Sequence, residues 1–250
     1  MTSPFERYGI EHLSPSSINV FLACPALFVL EKVLKHKTPV GCAAHRGTAV
    51  EDGIMHGLLN GADDDECVEV ARKTFAKRAA FSTDPSREKE EASLAGMVKT
   101  GLAELRPYGK PSATQGLVSH NVEGLAVPII GYFDAEWEDH GILLDLKTTH
   151  AVPSKIKTGH ARQVALYAAC RGNNTDLRLS YCSTKKIATY QLENARDHVA
   201  ALERVALTIQ RFLAVSDDPQ ELVGITAPDT DSFYFNDATA RAAAFEVWGI

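Results

Sequence analysis

Between Ile129 and Lys147 the chain reads as two apolar runs about a polar, Gly-containing break. Ile129-Ile130-Gly131-Tyr132-Phe133-Asp134-Ala135-Glu136-Trp137 leads in, Glu138-Asp139-His140-Gly141 interrupts, and Ile142-Leu143-Leu144-Asp145-Leu146-Lys147 leads out. This is the pattern of a β-hairpin. With Asp139-His140 as a two-residue turn, Glu138 faces Gly141, and counting outward sets Asp134 opposite Asp145. Opposed residues of an antiparallel pair share a face, with Cβ atoms about 5 Å apart. Side-chain alternation adds Lys147 to that face and turns Ile142, Leu144 and Leu146 to the other. Two carboxylates that close repel unless something positive lies between them. The pattern therefore asks for a divalent cation, with Lys147 beside it.

The pattern on either side predicts the rest of the architecture. Ser14 and Pro15 form a helix start, and Ile18, Phe21 and Leu22 give it one apolar stripe. Cys24-Pro25 interrupts that stripe, which Leu27, Phe28 and Leu34 resume. Three more helices follow at 43–59, 63–80 and 86–105, and Asp63-Asp64-Asp65-Glu66 suits a helical first turn. The period then changes. Strand-like runs cover 115–122 and the stretch from Leu125, separated by Glu123-Gly124. After the hairpin come a loop over 153–159, a helix over 160–171, strands over 177–182 and 187–192, and an amphipathic helix over 194–215. The aromatic segment Phe233-Tyr234-Phe235 predicts core packing, and a last helix covers 237–247. Helices, antiparallel strands, helix, strands and helix in that order predict one α/β domain with a central mixed β-sheet. Residues 1–110 would be its mainly helical part, 111–192 the sheet and its helix, and 193–250 the C-terminal helices.

Composition narrows the class. The 250 residues are 45% hydrophobic and 23% charged, which is ordinary for a soluble globular chain. No apolar run approaches the ~20 residues of a membrane span. Met1 to His12 has neither the apolar core of a signal peptide nor an Arg-rich transit pattern. These features predict a cytoplasmic protein without a membrane partner. The five cysteines, at 24, 42, 67, 170 and 182, form no CxxC pair, so they predict free thiols. The net charge of −6 is unevenly spread. From Lys147 to Tyr190 eight Lys and Arg stand against Asp176 alone, a segment of +7 that leaves −13 for the remainder. A basic block that begins at paired acids suggests a polyanionic substrate; its bland alternative is a solvated basic surface.

The candidate chemistry follows. Carboxylates are hard ligands suited to Mg²⁺ or Mn²⁺. A cation so held polarises a phosphoryl oxygen and activates water, and a neighbouring lysine orients or deprotonates that water or stabilises developing charge. Glu51, on the predicted 43–59 helix, is a third acid within reach of the hairpin; Asp52 points about 100° away from it. Gln163 and Tyr167 lie four apart and share a helix face. His45 and Arg46 could touch phosphate or cap the preceding loop, while His56 reads as a surface histidine.

Taken together these residues resemble the PD-(D/E)XK nuclease superfamily, in its RecB-like exonuclease branch. Ser14-Pro15-Ser16-Ser17-Ile18 with Cys24-Pro25-Ala26-Leu27-Phe28 is similar to that branch's opening S-x-S-x-[IL]…C-P-x-x-[FY] segment. Gly47-Thr48-Ala49-Val50-Glu51 resembles G-T-x-x-[HE], and Gly131-Tyr132-Phe133-Asp134 resembles G-x-[IF]-D. Asp145-Leu146-Lys147-Thr148 resembles D-x-K-T, and Gln163 to Tyr167 matches Q-x-x-x-Y. The five occur in family order over residues 13–167. The resemblance implies a restriction-endonuclease-like core. It implies Glu51, Asp134, Asp145 and the Leu146 backbone carbonyl as metal ligands, and Lys147 as the catalytic lysine. Gln163 and Tyr167 would steady the site or contact the DNA backbone. Candidate DNA contacts are Ser14, Ser16, Arg46, Thr148, Lys155, Lys157, Arg162, Ser183 and Lys185.

Two departures from the family pattern stand out. Glu51 occupies a position where many relatives carry histidine. Cys24 remains, but the C-terminal cysteine trio of iron–sulfur relatives is missing, which predicts no cluster and a buried, apolar Cys24. The implied activity is a phage-type, Mg²⁺- or Mn²⁺-dependent DNA exonuclease of a bacterial or phage-infected cell, serving recombination, repair or replication. With no G-x-x-x-x-G-K-[ST] loop, it would act alone or beside a single-strand-binding, annealing or helicase protein. The alternatives are a DNA endonuclease, a CRISPR-adaptation-type nuclease, an enzyme of another phosphate ester, and a DNA-binding subunit that has lost catalysis.

Overall fold

A computed structural model describes residues 2–37, 39–171, 175–235 and 238–250. In chain order the helices are α1 (Pro4–Arg7), α2 (Pro15–Ala23), α3 (Pro25–Phe28), α4 (Cys42–Asn60), α5 (Asp64–Arg78), α6 (Arg87–Leu105), α7 (Thr158–Arg171), α8 (Ala195–Leu213), α9 (Pro219–Gly224) and α10 (Ala238–Trp248). The strands are β1 (Ala113–His120), β2 (Ile129–Trp137), β3 (Ile142–Thr148), β4 (Asp176–Cys182) and β5 (Ile187–Gln191). They form one five-stranded sheet in sequence order. β2–β3 and β4–β5 are antiparallel and β3–β4 is parallel, so the sheet is mixed and flanked by helices as the pattern predicts. The parallel pair needs a crossover, and α7 supplies it. No helix among the described residues is long and apolar enough to cross a membrane.

Local chemistry explains the element ends. Ser14 and Ser17 form a reciprocal cap on α2, with Pro15 at its first position. Cys24, extended before Pro25, separates α2 from α3. Asp63 accepts the Glu66 N–H at the start of α5. β1 ends sooner and β2 starts later than hydropathy alone suggests. The reason is the Glu123-Gly124 turn, closed by the Leu125 N–H on the Val122 carbonyl at 3.1 Å. The short helices α1 and α9 have no period long enough to be seen in the sequence. Asp237, expected to open the last helix, lies outside the described residues, as does the Phe233 side chain.

The chain packs as two compact units that interleave along the sequence. One comprises Met1–Pro39, Val118–Gly131 and Asn194–Ile250. In it Leu13 bridges Ile129, and α2 meets α8 through an edge-on contact of Phe21 and Phe212 at 5.4 Å. Its second cluster joins Cys24, Leu27 and Leu30 to Phe235 and α10, with Tyr234 packed against it. Cys24 and Phe235 are thus core residues, as expected.

The other unit comprises Val40–Leu117 and Tyr132–Glu193. Its core sets Ala49, Val50 and Ile54 of α4, with residues of α5 and α6, against Ala135, Trp137, Ile142, Leu144 and Leu146 of the hairpin. The hairpin register is Ala135↔Leu144, Glu136↔Leu143 and Trp137↔Ile142, so the next step along both strands holds Asp134 and Asp145. The turn is a 3₁₀ segment, Glu138–His140, closed by Gly141 at φ +62°. That left-handed conformation suits glycine.

Two features place α4. Gly41 begins it without a side-chain cap, and the Asp84 carboxylate accepts the Cys42 N–H instead at 2.7 Å. At Gly53 an added Cβ would lie 2.7 Å from the Cys67 carbonyl and 3.1 Å from the Ala71 Cβ, so only glycine allows α4 so close to α5. Gly53→Ala should cost about 1–3 kcal/mol through overpacking, seen as a Tm lower by several degrees. Gly224→Ala, with open space around it, should leave Tm nearly unchanged. Asp84→Ala should cost about 1 kcal/mol, the usual loss for a helix cap. Its bonds to the Cys42 and Ser86 amides hold Asp84 below the ordinary carboxylate value. Its contribution is therefore complete at neutral pH and lost as pH falls through that lowered value. Wild type and variant should converge in acid unfolding curves.

Candidate active site

The hairpin sets two carboxylates on one face, and the surrounding elements fix each of them. Asp145, on β3, is completely buried. Its Oδ1 accepts the Gln163 Nε2–H at 2.8 Å and the Tyr167 O–H at 2.9 Å. Four-residue spacing on α7 brings both donors to the same oxygen. The single Tyr167 hydroxyl proton lies between Asp145 Oδ1 and the Tyr132 carbonyl, 2.7 Å away. Tyr167 is itself fully buried, so its work is to steady Asp145. Asp134, on β2, accepts the Leu146 N–H through Oδ2 at 2.6 Å. The Leu146 side chain points to the opposite, apolar side.

One lysine supplies the local positive charge. Lys147 Nζ lies 2.6 Å from Asp145 Oδ2. The contact is a close, charge-assisted ion pair, and Lys147 is the partner of this buried oxygen. Burial pulls the Lys147 pKa down, but Asp145 and then Asp134 more than offset it and hold the amine protonated. Glu51 comes from α4, half-buried, and meets Asp134 carboxyl to carboxyl. Burial raises both acids, and the Asp145 charge raises both further, Asp134 well above the usual range. Two carboxyl groups this close oppose each other's ionisation. Gln115 of β1 donates to Glu51, and its φ of +53° is left-handed, a strained conformation for a glutamine.

This donor set fits a hard divalent cation. Glu51 and Asp134 meet carboxyl to carboxyl, the Asp145 charge raises both, and all three are hard oxygen donors faced by a single lysine. Among the described residues no three His, Cys, Asp or Glu side chains are already arranged around a metal position. Glu51, Asp134 and Asp145 are the residues that could hold one, in their ionised forms.

The remaining sequence candidates divide. Arg46 is buried: it is paired with Glu90, lies 3.0 Å from His150 Nε2 and donates to the Thr148 hydroxyl and carbonyl at 3.3 Å. It ties α4 to the end of β3. Ser183 is also buried and closes the β4–β5 turn through Lys186. Lys155, Lys157 and Lys185 are exposed, and Arg162 and Thr148 are half-buried. Ser14 and Ser16 belong to the other unit, where their hydroxyls bond each other at 2.8 Å and Ser14 caps α2. Sequence reasoning missed Gln115, Glu90 and His150. Glu90 sits in the run Arg87-Glu88-Lys89-Glu90-Glu91, where nothing marks the one acid that turns inward.

No curated protein matches the chain. The solved structure of SSO0001 aligns with 85% of this chain and 95% of its own at 15% identity and a TM-score of 0.37, a likeness too weak to carry an argument about the site. The profile of the PD-(D/E)XK nuclease superfamily matches residues 12–231, a span that takes in both hairpin acids, Lys147, Glu51 and the Gln163–Tyr167 pair. With this match over most of its length, the protein belongs to the PD-(D/E)XK nuclease superfamily.

Proposed function

We propose that the protein is a metal-dependent DNA exonuclease that hydrolyses phosphodiester bonds in recombination, repair or replication. The observation that carries this reading is the buried Asp145 carboxylate, fixed through one oxygen by Gln163 and Tyr167, with the other 2.6 Å from the Lys147 ammonium. Asp145 is held rigid by α7 with its second oxygen on the lysine, the pre-organisation that a metal-binding carboxylate requires. The +7 segment from Lys147 to Tyr190, with Lys155, Lys157 and Lys185 exposed, suits a polyanion.

Glu51, Asp134, Asp145 and the Leu146 carbonyl would hold Mg²⁺ or Mn²⁺. Such an ion supplies Lewis-acid polarisation of the phosphoryl oxygen and a water of lowered pKa. Lys147, kept protonated by Asp145 and Asp134, stabilises the negative charge that develops on the phosphate. Gln163 and Tyr167 keep Asp145 from rotating as the substrate enters. The exonuclease mode rests on the motif resemblance over residues 13–167 rather than on the geometry of the site.

End-labelled linear DNA and closed circular DNA, each with Mg²⁺, Mn²⁺ or EDTA, test the reading. Linear DNA alone should be degraded, only with metal, and Lys147→Ala should lower kcat by about 10²–10³-fold, the usual loss for one charge-stabilising donor. Cutting of closed circles would replace the exonuclease with an endonuclease. Binding without cleavage under every condition would make the protein a non-catalytic DNA-binding subunit.

A further inference from the structure

Beside Lys147 lies a second hydrogen-bonded group that takes no part in holding the carboxylates. Tyr181 on β4 is the parallel-register partner of Lys147 on β3, and its side chain is buried. Its hydroxyl accepts the Lys157 N–H at 3.0 Å and lies 2.8 Å from His160 Nδ1. The two rings stand 5.6 Å apart. His160 precedes Gln163 by three residues on α7, so the two share a helix face. It is half-buried and feels the charges of both Lys147 and Asp145.

Hydrogen-bond accounting constrains the state of this ring. The Tyr181 hydroxyl has one proton, and its oxygen already accepts from the Lys157 amide. Among the described residues no acceptor other than His160 Nδ1 meets that proton. A bare Nδ1 is therefore favoured, with the proton of a neutral imidazole on Nε2. Burial first, and then the Lys147 charge, hold His160 below the ordinary histidine value, which favours the neutral ring. The loop between β3 and α7 is pinned on the same side. Tyr190 donates to the Pro153 carbonyl at 2.6 Å, and Tyr181 takes the Lys157 amide.

We propose that His160 is a further catalytic residue, whose Nε2–H donates to a non-bridging oxygen of the phosphate under attack, with Tyr181 as the positioning residue that fixes its tautomer. The proposal rests on the phosphodiesterase reading of the site. A neutral donor suits the place better than a cation. Lys147 already supplies positive charge there, and a second cation beside it would be repelled. A preorganised N–H stabilises developing charge without that repulsion.

Two measurements test this. The first is the nitrogen-15 NMR signature of the His160 ring at neutral pH, assigned by its loss in His160→Gln. It should report a neutral Nε2–H tautomer, and Tyr181→Phe should give a mixture. The second is steady-state cleavage of linear DNA. His160→Ala should lower kcat by about 10–100-fold while KM and Tm stay near wild type. His160→Gln, which keeps an N–H near the Nε2 position, should recover most of that loss. An Nδ1–H tautomer, an imidazolium, an unchanged kcat in His160→Ala, or no recovery in His160→Gln would each overturn the proposal. A wild type that cleaves no DNA with Mg²⁺ or Mn²⁺ overturns the phosphodiesterase reading as well. A wild type that cleaves normally beside an unaffected His160→Ala overturns this proposal alone.

Discussion

Two carboxylates opposed across a hairpin set the terms for the rest of this protein. Their mutual repulsion is sharpened by burial, which removes the water that would screen it. The fold does not avoid that cost; it surrounds it. Lys147 lies against one oxygen of Asp145, two donors from α7 hold the other, and the Leu146 amide binds Asp134. The compensation is partial, because Glu51 adds a third carboxyl group against Asp134 and one lysine faces all three. A site kept short of positive charge in this way is prepared for a cation.

The scaffold is built to hold those groups still. α4 carries Glu51 and is fixed at its start by Asp84, in its middle by the close approach at Gly53, and at the strand end by Arg46 on Thr148. The apolar side of β3 anchors Leu144 and Leu146 in the core, which leaves Asp145 and Lys147 on the opposite side beneath α7. The crossover that makes β3 and β4 parallel also delivers Gln163, Tyr167 and His160 to that side.

What the sequence made legible was local. The hairpin register could be counted because the break at Glu138–Gly141 is polar and stands between two apolar runs. The caps at Ser14 and Asp63 and the break at Cys24-Pro25 are short-range chemistry and appear where the residues place them. The Gln163–Tyr167 spacing signals a shared face, though only the fold shows that the face meets Asp145. What stayed hidden was long-range. Arg46 looks like an open cation until Glu90, 44 residues later, folds against it. Ser183 looks like a surface hydroxyl until it closes a turn. Gln115 has no motif at all, and its role rests on a left-handed backbone that glutamine does not announce.

The central claim is that the opposed carboxylates are a destabilised cation site. Thermal unfolding of wild type and Asp134→Asn at mildly alkaline pH, in EDTA and then with Mg²⁺ or Mn²⁺, tests it most directly. Asparagine keeps an acceptor for the Leu146 amide but removes the charge. The account predicts that in EDTA the variant is at least as stable as wild type, and that metal raises the wild-type Tm while leaving the variant's almost unmoved. A variant clearly less stable than wild type in EDTA, or an equal rise of both proteins with metal, would contradict it.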